Sequence, residues 1–135
     1  MVISMLMLLL VINTSVSAQP NLVVKTEAVS IKFLDSLTGT WGEWSSYEEL
    51  HVVCMYKKEL NSYVIYTKQK QTFSILYELE PMTAEDGNFV RGSQCVDDES
   101  IECALLFIES PTGEKYIQVS YLNVRITYKL DTSGN

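Results

Sequence analysis

VRITYKL, residues 124–130, alternates without a break: Val124, Ile126, Tyr128 and Leu130 fall on one side, Arg125, Thr127 and Lys129 on the other. A period of two sends successive side chains to opposite faces of an extended chain, so the segment predicts a strand with one face in a core and the other in water. The same reading extends upstream. YIQVSYL at 116–122, TFSILYEL at 72–79, SYVIYTK at 62–68 and HVVCMYK at 51–57 are rich in β-branched and aromatic residues, each bounded by turn-forming or charged ones, the composition of a pleated, half-buried surface. AVSIKFL at 28–34, TWGEWSS at 40–46, NFVRGSQ at 88–94 and ECALLFIE at 102–109 complete the set. The last lacks strict alternation and also fits a short helix.

The connections are short and carry suitable residues: ELN at 59–61, KQKQ at 68–71, EDGN at 85–88, and SPTGE at 110–114 with Pro111 and Gly113 placed for a tight turn. Strands joined so tightly pair antiparallel. So many strands in so short a chain must hide their edges, which predicts an all-β fold: a small antiparallel barrel of about eight strands, or alternatively a two-sheet β-sandwich.

The first residues read differently. MVISMLMLLLVINTSVSAQP has an uncharged apolar run from Met1 to Ile12 and the small-residue ending Val16, Ser17, Ala18, the pattern of a cleaved signal peptide over residues 1–18. The run is shorter than the about 20 apolar residues a membrane span needs, and no second one follows. The expectation is a secreted, extracellular protein with a single all-β domain at 19–135. Its net charge of −7 argues against nucleic acid and anionic membrane as partners, since both select Lys and Arg.

Catalytic and metal motifs are not expected. His51 is the only histidine, in an apolar stretch with no nucleophile motif around it. Asp97, Asp98, Glu99 and Glu102 offer clustered oxygens, but without the glycine and regular spacing of calcium loops they read as a solvated loop. Seven tyrosines, Tyr56, Tyr63, Tyr66, Tyr77, Tyr116, Tyr121 and Tyr128, lie on expected strands. Amphipathic rings suit a cavity lining or a contact surface, and ordinary strand propensity also puts them there.

Cys54, Cys95 and Cys103 are three, so an exported chain should form one bridge and leave one thiol. Linking Cys54 to either of the others closes about 40 to 50 residues and stabilises by roughly 4 kcal/mol in the entropy model. Geometry favours a different pair. Cys54 sits mid-strand beside Val52 and Val53, where a buried thiol is common, whereas Cys95 and Cys103 flank an exposed acidic loop. The expected disulfide is Cys95–Cys103.

LTGTWGEWSS, residues 37–46, carries what family resemblance there is. WGEWS is one residue from the Trp-Ser-X-Trp-Ser box of class I cytokine receptors, but only 22 residues of the expected mature chain precede it. Thrombospondin type 1 repeats need about six cysteines, and this chain has three. GTWGEW matches the repeated phrase of vitelline membrane outer layer proteins, in one copy only. FLDSLTGTWGEW resembles the Gly-X-Trp opening of the lipocalin and calycin group, with Gly39, Thr40 and Trp41 followed by Glu43. That resemblance implies a calycin-like barrel closed at one end by Trp41, with Arg125 of the last strand laid across the ring. Avidins open similarly, yet no tryptophan follows Trp44 to contact biotin. The chain departs from lipocalins in having Glu114, Lys115 and Tyr116 in place of Thr-Asp-Tyr, and in ending at Asn135 shortly after its last strand.

The functional expectation is a non-enzymatic binding protein without a cofactor, a carrier or scavenger of a small hydrophobic molecule. The alternative is an immunomodulatory module that binds a secreted or receptor protein through an acidic, Tyr-rich face. Ligand-contacting residues are not singled out by any motif. A barrel filled by its own side chains would favour the alternative.

Overall fold

The computed structural model describes residues 22–132. The expected signal peptide lies outside them. The strands are β1 (Val23–Asp35), β2 (Thr40–Trp41), β3 (Glu48–Glu49), β4 (Val53–Lys57), β5 (Ser62–Tyr66), β6 (Lys70–Glu78), β7 (Met82–Thr83), β8 (Phe89–Val96), β9 (Glu102–Glu109), β10 (Lys115–Ser120) and β11 (Val124–Leu130), with one 3-10 turn at Lys58–Leu60.

Eight strands close on themselves in the order β1, β4, β5, β6, β8, β9, β10, β11 and back to β1, every pair antiparallel. The barrel is thus the outcome and the sandwich is not, because β8 pairs with both β6 and β9 and no ring edge is left open. β2 and β3 pair with β1, and β7 with β8, off the ring. ECALLFIE is a strand, held on both edges by β8 and β10, which overrides the helix propensity of its Ala and Leu residues.

Alternation places the core. Ile126 and Tyr128 of β11 face Val119 and Ile117 of β10 across the ladder, and all but the half-buried Ile126 are buried. Leu105 and Cys103 of β9, Cys95 of β8, Phe73 of β6, Ile65 and Tyr63 of β5 and Cys54 of β4 join them in one cluster that fills the middle of the barrel. Each aliphatic side chain so buried contributes about 1.5–3 kcal/mol.

Where alternation is interrupted, the chain bulges. TWGEWSS is a strand only at Thr40–Trp41. Leu34 pairs with Trp41 and Val29 with Glu48, so four residues on β1 oppose six on the returning chain. The two surplus residues arch outward, as in any bulge. Ser45 pins the arch: its N–H donates to the Ile31 carbonyl (2.8 Å), its Oγ accepts from the Ile31 N–H (3.0 Å), and its carbonyl accepts from Ser30 Oγ (2.6 Å).

Gly92 of β8 shows how closely two strands approach. A Cβ there would run into the carbonyl oxygen of Leu105 and lie 2.9 Å from Leu106 Cα, backbone atoms that cannot rotate away. Gly92→Ala is expected to destabilise by about 3 kcal/mol, the upper range for overpacking. Urea unfolding measures it, and a loss below about 1 kcal/mol, within an ordinary substitution's range, would show that β8 and β9 can part to admit a methyl group.

Candidate functional site

One end of the barrel is where β1 and β8 begin and β9 and β11 finish. Val24, Arg91, Phe107 and Leu130 point inward there, and with Leu22 and Phe89 they wall a cavity of about 200 Å³ whose rim carries Glu109 and Lys115. Its floor is a stack. Tyr56 lies 5.3 Å from Tyr63, Tyr63 lies 5.4 Å from Phe107 between ring centroids, and the Arg91 guanidinium sits 5.1 Å from the Phe107 centroid. Register produces this: Tyr56 opposes Tyr63 across β4–β5, and Arg91 opposes Phe107 across β8–β9. Ser93, one inward step below Arg91, donates to Glu78 at 3.0 Å. Burial pushes the Tyr63 phenol above its ordinary value. Among the described residues Arg91 is in neither of the ion pairs, His51–Glu49 and Lys129–Glu27; Glu109 shares its cup and Glu78 stands beside Ser93.

The other end is closed by the acidic loop. Asp97 Oδ1 accepts from the N–H groups of Glu99 and Ile101, both at 2.9 Å, and Asp97 Oδ2 accepts from the Tyr121 hydroxyl at 2.7 Å. Asp98 accepts from the Thr72 N–H at 2.9 Å. These carboxylates tie a hairpin to its neighbours, and among the described residues no group of three or more His, Cys, Asp or Glu is disposed to hold a metal ion. Burial raises the Asp97 pKa, but hydrogen bonds from Ile101, Tyr121 and Glu99 outweigh it and the net shift is downward.

Trp41 and Arg125 come together, with the guanidinium 4.1 Å from the ring centroid. They do so on the outside. Arg125 opposes Lys32 in a register where the neighbouring Ile126 and Ile31 face inward, and Trp41 opposes Leu34, two residues on from Lys32 on the same face. The pair therefore packs against the outer wall rather than beneath the interior, the place the lipocalin resemblance implied. Lys32 continues the contact, 5.7 Å from the Trp41 centroid and 4.7 Å from that of Trp44. The result is a ladder of Arg125, Trp41, Lys32 and Trp44.

The expected Cys95–Cys103 bridge is not formed; all three cysteines are buried free thiols. Cys95 and Cys103 are nonetheless direct register partners. The Asp97 N–H donates to the Ile101 carbonyl, which makes 97 and 101 a hydrogen-bonded pair and, two residues along, 95 and 103 another. Opposed Cβ atoms in such a pair stand at the wide end of the roughly 4.5–5.5 Å range, beyond the 3.5–4.5 Å a disulfide requires. Burial pushes the Cys54 and Cys95 thiols up to about 12 and Cys103 up to about 11. His51 is exposed, its Nε2 2.7 Å from Glu49 Oε2, and that hydrogen bond raises its pKa.

The cavity residue that sequence reading passed over is Arg91. Its signal was present: in NFVRGSQ it shares the phase of Phe89 and Ser93, an unexpected place for a charge on a strand whose other inward residues are uncharged.

The molecule is an eight-stranded, closed antiparallel β-barrel with a cationic, partly apolar cup at one end. Compared with protein-family models, with curated proteins and with solved structures, the chain matches none.

Three expectations rest on this geometry. Because Trp41 is half-buried, Trp41→Ala should cost about 1–2 kcal/mol rather than the 3–5 of a fully enclosed aromatic. A double-mutant cycle of Trp41→Phe with Arg125→Gln should show a coupling of about 0.5–1 kcal/mol; strict additivity would mean that Arg125 does not lie on the ring in solution. For Asp97, a folded-state pKa below the unfolded one adds stability that is complete above the ordinary value of 3.8 and disappears as the pH falls through the folded value. Asp97→Asn should lose about 2 kcal/mol at neutral pH and show a flatter decline in acid. Thermal unfolding between neutral pH and strong acid would record this, and parallel curves for the two proteins would remove Asp97 from the acid response.

Proposed function

We propose that this protein is a secreted, non-catalytic carrier that holds a small anionic, partly apolar molecule in the cup at the barrel mouth, a lipocalin-like use of a barrel. The observation that carries the reading is Arg91: a guanidinium engaged in no ion pair, set on an aromatic floor among Val24, Leu22 and Leu130. Apolar walls with one placed polar group are the usual make-up of a ligand pocket, and a guanidinium selects carboxylate or phosphate by its planar fork. Size narrows the ligand. A dry cavity of about 150 Å³ holds one benzene ring, so a cup of about 200 Å³ suits a single ring or a short branched chain, and the filled interior beneath it excludes long ones. Non-catalytic use accords with thiols kept protonated by burial and a lone histidine engaged with Glu49 at the surface.

A second reading, a module that docks on a receptor or secreted protein, is favoured by a different observation. The Leu34 N–H donates to the Asn123 carbonyl at 3.0 Å, which brings exposed Phe33 beside exposed Leu122 at the far end of the barrel.

Saturation-transfer NMR with benzoate tests the first reading. Irradiating the methyl groups of Leu22, Val24 and Leu130 should transfer saturation to the aromatic protons, and Arg91→Gln should weaken binding about tenfold while leaving the melting temperature unchanged. Absence of transfer at millimolar benzoate would overturn the proposal.

A further inference from the structure

The arch at 42–47 overhangs the outer wall and makes a second cavity of about 390 Å³, open along one side. Trp44 and Tyr47 come from the arch, Tyr116 and Gln118 from the outward face of β10, and Glu114 from the turn that precedes it. Among the described residues no lysine or arginine lines it. Three aromatic rings and one carboxylate thus line it, and Lys32, which stands 4.7 Å from the Trp44 centroid, is not part of the lining.

We propose that this cleft binds an organic cation, an alkylammonium or quaternary ammonium group, caged by Trp44, Tyr47 and Tyr116 and neutralised by Glu114. The negative faces of aromatic rings attract a cation that is too large to be strongly hydrated, and this is how such cages work wherever they occur. The rings are already under a negative field. The Tyr116 hydroxyl lies 3.3 Å from Glu114 Oε1, and burial first, then the Glu114 charge, push the phenols of both Tyr47 and Tyr116 above their ordinary value. The ladder on the wall points the same way: it alternates Arg125, Trp41, Lys32 and Trp44 and ends on a ring that forms one wall of the cleft, so a bound cation takes the next place in the series. A chain with a net charge of −7 also draws cations toward its surface. The cleft adjoins the cup, with Ile108 and Tyr116 lining both, and the proposal does not depend on the cup holding an anion.

Calorimetric titration with choline and with 3,3-dimethylbutan-1-ol, which has the same shape with carbon in place of the charged nitrogen, decides it. Choline should bind at one site per chain and the neutral alcohol at least about fivefold more weakly. Glu114→Gln should weaken choline about three- to fivefold, Tyr47→Leu by a similar factor, and Arg91→Gln, at a residue that does not line the cleft, should leave it unchanged. Both Glu114 and Tyr47 are exposed, and circular dichroism of the variants separates a lost site from a lost fold. Equal affinities for choline and the alcohol, an unaltered Glu114→Gln, or no saturable choline binding would each overturn the proposal.

Discussion

The hydrogen-bond ladder along one edge of β1 governs the rest of the molecule. β1 spans Val23–Asp35, but on that edge β4 pairs only with Val23, Val24 and Lys25. The remaining backbone groups would be left unpaired beside a packed barrel, at a cost of about 1–3 kcal/mol for each one buried. The chain therefore folds back along the strand. Val52 accepts from Thr26, the Leu50 N–H donates to Glu27, Glu48 and Glu49 pair with Val29 and Ala28, Ser45 and Gly42 donate to Ile31 and Phe33, and Trp41 pairs with Leu34. Three surplus residues accumulate in that return, two between Trp41 and Glu48 and one between Glu48 and Val53. Surplus residues cannot go into the core, which is full, so they lift Trp44 and Tyr47 off the outer wall. The positions of Trp41, Trp44 and Tyr47 follow from satisfying β1.

The interior obeys a second limit. Eight strands enclose a space just wide enough for side chains to fill, and here rings take much of it: Phe73, Tyr63 and Tyr128 are buried together. The phenol of Tyr128 reaches Gln71 and that of Tyr63 reaches Ser93, so the polar ends of buried rings are satisfied inside the barrel rather than left to a ligand. Among the described residues, space for a guest opens where the stack of Tyr56, Tyr63 and Phe107 stops, at the mouth.

These two limits explain what the amino-acid sequence reveals and what it conceals. Alternation and composition located β4, β5, β6, β8, β10 and β11, because a period of two with β-branched and aromatic residues has one physical meaning; the sequence does not foretell β7, and that of β9 fits a helix as well as a strand. It also placed Arg125 on the polar face of β11, and the structure keeps it there. The family resemblance asked for the same side chain beneath the barrel, and the two demands are incompatible on one strand; the inward phase of half-buried Ile126 and buried Tyr128 decides between them. Bulges are harder to read. Nothing local in TWGEWSS shows that its partner strand is two residues shorter, since that mismatch is a property of the pair. The disulfide failed for a related reason. Cys95 and Cys103 are opposite each other, as their spacing suggested, but whether an opposed pair is of the wide or the narrow kind depends on the phase of the hydrogen bonds, and that phase is set by the turn at Asp97 and Ile101. Arg91 is the opposite case: its inward phase was visible, and only the closure of β8 against β9 turns that phase into a cavity wall.

The hairpin between β9 and β10 divides the two cavities, and its alternation divides their charge. Lys115 opposes Glu109 in the inward phase at the rim of the cup, while Tyr116, the next residue, turns outward with Ile108. Glu114, one residue earlier, sits in the turn and hydrogen-bonds Tyr116 on the outer side. Consecutive residues thus present a cation to the mouth, beside Arg91, and a carboxylate to the outer cleft. Opposite charges so near in sequence would largely cancel on a flexible loop. On opposite faces of a strand pair the two side chains point apart, and because both are exposed solvent screens each from the other. One rule of strand geometry, the reversal of side-chain direction at every residue, therefore sets Arg91 and Lys115, with Glu109, at the mouth of a short acidic chain and leaves Glu114 to its flank.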